Sequence, residues 1–201
     1  MSRPAIFMDR DGTICEEVGY INHVSRSRLL PNSLEAIKMV NEAGYLAVVA
    51  TNQSGVARGL FTEELVHAVH RQLSDWVGAA GGRLDAIYFC PHHPREGEPP
   101  YRLACDCRKP QPGMLLRAAR EHDIDLSRSW MVGDSLVDLE AGTAAGAGVV
   151  HLMTGYGRGL VEHHGERFTR PPAHTAADLL DAVRWILARD RGPAGHPGTG
   201  R

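Results

Sequence analysis

Short unbroken apolar runs recur along the chain, with apolar residues at helical spacing between them. The runs are AIFM (5–8), YLAVVA (45–50), LDAIYF (84–89), SWMV (129–132) and GVVHL (148–152). They do not alternate with polar residues, as expected of strands in a parallel sheet covered on both faces. Leu34, Ile37 and Val40 form a helical stripe that stops at Gly44. Thr62 can cap a second helix, with Glu63 and Glu64 in its first turn and Leu65, Val69, Leu73 and Trp76 on one face. Pro112 can open a third, with Met114, Leu115 and Ala118 inward. Residues 136–145 read as a fourth, ended by Gly146, and Thr175-x-x-Asp178 has the form of a capping box for a last helix reaching about Arg189. Strands alternating with helices predict an α/β fold, a Rossmann-like doubly wound parallel sheet. Residues 90–111 show no period and are rich in Pro, Cys, His and charge, while residues 190–201 read as a flexible tail. The chain therefore reads as one domain over residues 1–189 followed by that tail.

Composition narrows the classes. A chain of 201 residues can bury a core without a disulfide framework. Lys and Arg total 22 against 24 Asp and Glu, a net charge of −2, which argues against a protein held to nucleic acid by bulk charge. No stretch approaches the ~20 apolar residues of a membrane span, and the N-terminus lacks the apolar segment of a secretion signal. Four cysteines do not make a secreted scaffold. The expectation is a soluble cytoplasmic protein, a monomer, acting on a small molecule and engaging neither nucleic acid nor membrane.

The candidate chemistry lies at strand ends. The first strand runs into Asp9-Arg10-Asp11-Gly12-Thr13, and the fourth into Gly133-Asp134-Ser135 with Asp138 one turn on. Ligands of open parallel sheets gather beyond the carboxyl ends of the strands, so three or four carboxylates should converge there. Such a group repels itself unless a cation such as Mg²⁺ neutralises it. The second strand ends in Thr51-Asn52-Gln53-Ser54, a source of hydroxyl and amide groups, and Arg108-Lys109 closes the irregular loop. Acids, a metal, a hydroxyl and a lysine suit phosphoryl transfer. Each motif alone is commonplace; their order along one α/β pattern is not.

Cys90 and Cys105 bound residues 91–104, and Cys90, His92, Cys105 and Cys107 form a Cys₃His set of the kind that holds structural zinc. In an extended loop, residues two apart share a face, so the C-x-H and C-x-C spacings can serve one ion. His93 is the alternative nitrogen ligand, and buried free thiols are the alternative without metal. Cys15 reads as a small packed residue.

In D-x-D-G-T, T-N, R-K-P and G-D-x-x-x-D, taken together, the chain resembles the haloacid dehalogenase superfamily of phosphohydrolases over residues 6 to about 187. That resemblance implies Asp9 as nucleophile, Asp11 as general acid/base, and Thr51 and Lys109 holding the transferring phosphoryl group. It also implies a Mg²⁺ site of Asp9, Asp11 and Asp134, and no separate cap domain. FMDRDGTI, TNQSGVARGLFTE, CPHHP…CDCRKPQPGM and MVGD narrow it to the heptose 1,7-bisphosphate 7-phosphatase branch. The implied reaction is removal of the 7-phosphate through an aspartyl-phosphate, with Asn52, Gln53, Ser54 and Arg108 contacting substrate and zinc stiffening the loop. Histidinol-phosphate phosphatases are the nearest enzymatic alternative, and a zinc-stabilised binding module the non-enzymatic one. One departure stands out: Ser135 occupies the place where this family often carries lysine.

Overall fold

The computed structural model describes residues 2–168 and 170–190. Six parallel strands form one sheet: β1 (Ala5–Met8), β2 (Leu46–Asn52), β3 (Ala86–Cys90), β4 (Trp130–Gly133), β5 (Gly148–Leu152) and β6 (His174–Ala176). Their spatial order is β3-β2-β1-β4-β5-β6. The strand residues alternate between two cores. Ile6, Met8, Ala47, Val49, Trp130 and Val132 face one side, where α1 (Ser33–Glu42), α2 (Glu63–Ala79) and α6 (Leu179–Asp190) pack. Ala5, Phe7, Val48, Ala50 and Met131 face the other, against α3 (Gly113–His122) and α4 (Leu136–Ala145). Each fully buried Ile, Val, Leu or Phe side chain contributes roughly 1.5–3 kcal/mol to this packing. A sheet covered on both faces needs unbroken apolar strands, as the sequence shows.

This order carries the functional consequence. From β1 the chain winds outward through β2 to β3, then returns through α3 to β4 on the opposite side of β1. The winding reverses between β1 and β4, and their carboxyl ends open a crevice that strand pairing does not fill.

Several boundaries differ from the sequence reading. β2 runs on through Thr51 and Asn52, which pair with Phe89 and Cys90 of β3. The buried stripe of α2 is Val66, Val69, His70, Leu73 and Val77, with Leu65 and Trp76 only partly covered. Thr175 lies in β6 and does not cap the last helix. That role falls to Asp178, whose carboxylate accepts the Asp181 amide at 2.9 Å while Asp181 accepts the Ala177 amide at 2.9 Å. β6 and α5 (Gly157–His164) have no sequence signal. The first is a three-residue edge strand after two prolines, and the second buries only Gly157, so neither carries an apolar pattern. The expected flexible tail lies, but for its first residue, outside the described residues. Among the described residues no helix is long and apolar enough to cross a membrane.

Candidate active site

Asp9 follows β1 directly, and its amide donates to the Val132 carbonyl of β4 at 3.1 Å, so the nucleophile candidate sits over the crevice. Its carboxylate accepts the Arg10 amide at 2.7 Å. Lys109, buried to 2% exposure, reaches in from the segment before α3. Its ammonium lies 3.0 Å from Asp9 Oδ1 and 2.6 Å from Asp138 Oδ1, and donates to the Ala50 carbonyl at 2.7 Å. The lysine is fixed at its root as well. Asn52 Oδ1 accepts the Lys109 amide at 3.1 Å and Asn52 Nδ2 donates to the Lys109 carbonyl at 3.0 Å. Asn52, expected at the substrate, thus spends its amide on holding the lysine's backbone.

Carboxylate oxygens of Asp9, Asp134 and Asp138 lie within 4.8 Å of one another. Asp134 Oδ2 accepts the Tyr156 amide at 2.8 Å. The glycines beside it are required: a Cβ at Gly12 (φ 77°) or at Gly155 (φ 52°) would collide with the Asp134 carboxylate. Burial, then the charges of Asp138 and Asp9, push Asp134 up to about 8. Burial, opposed by Lys109 and aided by Asp138 and Asp11, pushes Asp9 up to about 6. Burial works against the Lys109 charge, but Asp138 and Asp9 outweigh it and hold the ammonium above its usual range. One ammonium does not balance three carboxylates. The cluster is short of positive charge, and its donors are all oxygen, the set that fits a hard divalent ion.

The Asp11 carboxylate is not part of this cluster. It turns away to Arg10, whose Nε and Nη2 lie 3.0 and 2.7 Å from Oδ1 and Oδ2, and it accepts Gln53 Nε2 at 3.0 Å. The third acid of the group is Asp138, one turn into α4, where the sequence reading put Asp11. The Arg10 guanidinium and the Gln53 amide draw Asp11 away from the cluster, while Ser135 and Lys109 draw Asp138 into it.

Asp9, Asp11, Thr51, Asn52, Gln53 and Ser54 line one cavity of about 110 Å³, together with Glu17, Gly19, Tyr20, Gly55 and Phe61. A larger cavity of about 690 Å³ lies outside β3, beyond reach of the Asp9 cluster, so size does not identify the reacting site. Arg108 does not line the small cavity; its guanidinium donates to the His92 carbonyl at 3.2 Å.

The cysteine loop closes on itself. Cys90 Sγ lies 3.5 Å from Cys105 Sγ and 3.6 Å from His92 Nδ1, and Cys107 Sγ lies 3.3 and 3.5 Å from the same two atoms. All four atoms fall within 4.8 Å of one another, with no disulfide. A tetrahedral zinc site with bonds of about 2.3 Å to sulfur and about 2.0–2.1 Å to nitrogen has edges of about 3.5–3.8 Å, close to these. His92 is the nitrogen in the group, while His93 Nδ1 accepts the amides of Arg95 and Glu96. Hydrogen bonding from Cys90 pulls the Cys107 thiol down to about 5, ready as a thiolate ligand. The loop is pinned to the segment that follows β2: Gln53 and Ala57 amides donate to the Cys90 and Pro91 carbonyls at 2.8 and 3.2 Å, and Arg58 pairs with Glu96.

Comparison with known proteins places the chain among described relatives. A family model described as HAD-hydrolase-like covers residues 106–182. A D-glycero-D-manno-heptose-1,7-bisphosphate 7-phosphatase of Thermosynechococcus vestitus is 42% identical over 190 residues, 92% of this chain and 96% of that protein. The chain belongs to the heptose-bisphosphate phosphatase family of haloacid dehalogenase-like hydrolases. The family's Escherichia coli K12 member is 40% identical over 190 residues, 92% of this chain and 89% of that one. A crystal structure of D,D-heptose 1,7-bisphosphate phosphatase from B. bronchiseptica, complexed with magnesium and phosphate, superposes with a TM-score of 0.82 at 36% identity, over 92% of this chain and 99% of that one.

Ser135 has a local role. Its amide and hydroxyl both donate to Asp138 Oδ2, at 3.1 and 2.5 Å, ordering the first turn of α4 and the acid that meets Lys109. Sequence reasoning missed Arg10, His70, Glu17, Tyr20 and Phe61. Arg10 stands between two singled-out acids, but nothing in its type says that its charge is buried.

Proposed function

We propose that this chain removes the 7-phosphate of D-glycero-D-manno-heptose 1,7-bisphosphate, with Asp9 as the nucleophile. The observation that carries the reading is the Asp9 carboxylate over the β1–β4 crevice, 3.0 Å from a buried lysine and facing a cavity lined by Thr51. Asp9 attacks phosphorus, and the bond from phosphorus to the sugar oxygen breaks as Asp11 gives that oxygen a proton. Water then adds to phosphorus and passes its proton to Asp11. The bond from phosphorus to Asp9 breaks and phosphate leaves. The Lys109 ammonium and Thr51 hydroxyl hold the phosphoryl oxygens in place throughout.

Asp9 and Asp134 would hold Mg²⁺, with Asp138 as the third carboxylate. When bound, the ion supplies the positive charge that the cluster lacks and that the phosphoryl group needs. Cys90, His92, Cys105 and Cys107 would hold Zn²⁺ with no open position, a structural role. That ion would stiffen the segment carrying Arg108, at the rim, and Lys109, in the site. On this reading Gln53, Ser54 and Arg108 would contact the rest of the substrate. On the same reading the protein is one phosphatase domain, a cytoplasmic monomer that engages neither nucleic acid nor membrane; its net charge of −2 supports the exclusion of nucleic acid.

The test is phosphate release from both anomers of heptose 1,7-bisphosphate beside histidinol phosphate and fructose 1,6-bisphosphate. The heptose substrate should lead, and Asp9→Asn should abolish turnover. Ordinary activity in the Asp9→Asn protein, or a preference for histidinol phosphate, would overturn the assignment.

A further inference from the structure

Arg10 is a permanent cation, yet it is 1% exposed and among the largest fully buried side chains. Its guanidinium is used on three sides. Nε and Nη2 form a fork onto the two oxygens of Asp11, and Nη1 lies 3.2 Å from Nε2 of His70. Arginine has no acceptor, so His70 presents a lone pair to it and stands neutral, its proton placed on Nδ1 by this geometry. His70 is buried in α2 and held edge-on to Phe89, ring centroids 5.7 Å apart. Burial and then the Arg10 charge hold its pKa down at about 3. Gln53 completes the arrangement: its Nε2 donates to Asp11 Oδ2 and to Thr51 Oγ1, 3.0 Å each.

A carboxylate offers about two acceptor sites on each oxygen. Asp11 Oδ2 receives Arg10 and Gln53 and is full. Oδ1 receives Arg10 alone and keeps one site open, on a carboxylate that lines the cavity beside Asp9. We propose that Arg10 and His70 are a positioning pair for Asp11, locking its carboxylate so that Oδ1 is the atom that exchanges protons with the leaving oxygen and with water. This rests on the assignment of Asp11 as acid/base above. Neither residue touches the reacting atoms. Without the His70 acceptor, the buried Nη1 loses its partner, the guanidinium can tilt, and the Asp11 carboxylate tilts with it. Misplacement of a reacting group by about 1 Å costs on the order of 10²-fold in rate.

The test uses kcat/KM, which for a covalent mechanism reports steps up to loss of the leaving group. A sugar alkoxide needs a proton to leave; p-nitrophenolate does not. His70→Leu and Arg10→Lys should lower kcat/KM for the sugar bisphosphate on the order of 10–100-fold. They should change kcat/KM for p-nitrophenyl phosphate by less than about threefold. His70→Gln, whose amide oxygen can accept from Nη1, should restore most of the loss. Both substrates are assayed on one preparation, so any unfolded fraction cancels in their ratio. Asp11→Asn is the reference and should show the same split. If Asp11→Asn shows the split while His70→Leu and Arg10→Lys leave the ratio at its wild-type value, the positioning pair is refuted and the acid/base assignment stands. If Asp11→Asn depresses both substrates equally, the assignment falls and takes the pair with it.

Discussion

Binding of Mg²⁺ should be strongly pH-dependent, with a magnitude that follows from the carboxylate cluster. Asp134 titrates at about 8 and Asp9 at about 6 without metal, against an ordinary 3.8. Both are raised, so below these values each carries a proton that the ion must displace, and affinity falls as pH falls. Each group multiplies the apparent Kd by one plus the ratio of its protonated to ionised form. At pH 8 these factors multiply to about 2, and at pH 6 to about 200, so the apparent Kd should rise about 100-fold between them. That corresponds to about 2.7 kcal/mol. At pH 7 nearly all the protonation is on Asp134, so binding should release about one proton per ion. Isothermal titration calorimetry in buffers of different ionisation enthalpy reads both the affinity and the proton count. Asp138→Asn removes the largest charge that raises Asp134 and should shrink the pH 6 to pH 8 ratio. An apparent Kd that changes less than about threefold across this range, or no proton release at pH 7, would refute the reasoning. Either the carboxylates would then already be ionised without the metal, or the ion would bind away from the cluster.

The remaining predictions concern the loop, the rim and the helix that holds Arg10. Brief EDTA treatment should stop activity reversibly while zinc stays bound, whereas Cys107→Ala should lose zinc and most activity yet keep its circular dichroism. Fully active wild-type protein free of zinc by mass spectrometry would exclude the zinc role. Arg108→Ala should raise KM for the bisphosphate more than for a simple monophosphate, because the guanidinium sits outside the cavity that holds Asp9; equal losses would place it at the transferred phosphoryl group. His70 has a folded pKa of about 3 against 6.5, so the stability it gives is present above pH 6.5 and is lost as pH falls toward 3. Between pH 7 and pH 5 the wild type should lose about 2 kcal/mol relative to His70→Gln in urea unfolding, and equal pH dependence in both would show that His70 does not titrate in this way.

Much of the protein could be read from the chain because the relevant signals are local. Unbroken apolar runs, glycine stops and acidic first turns are properties of neighbouring residues, and they placed five of the six strands. Asp9, Asp134, Thr51 and Lys109 stand at strand ends or just before a helix, and a parallel sheet brings such positions to one edge whatever the details of packing. Cys90, His92, Cys105 and Cys107 lie close enough in sequence for spacing alone to suggest a shared ion. β6 and α5 stayed invisible because a three-residue edge strand and a helix that buries one glycine need no apolar pattern. Side-chain direction was also beyond reach. Asp9 and Asp11 are two residues apart, yet one carboxylate faces Lys109 and the other faces Arg10. Asp138 takes the place in the acid cluster that the motif assigned to Asp11. Those choices depend on His70, sixty residues from Arg10 and supplied by α2, and on Ser135 and Lys109 converging on Asp138. Sequence determined which groups would meet at the β1–β4 crevice. Only the tertiary structure decided which acid pairs with which cation, because a buried charge settles on whatever partner the packing brings within about 3 Å.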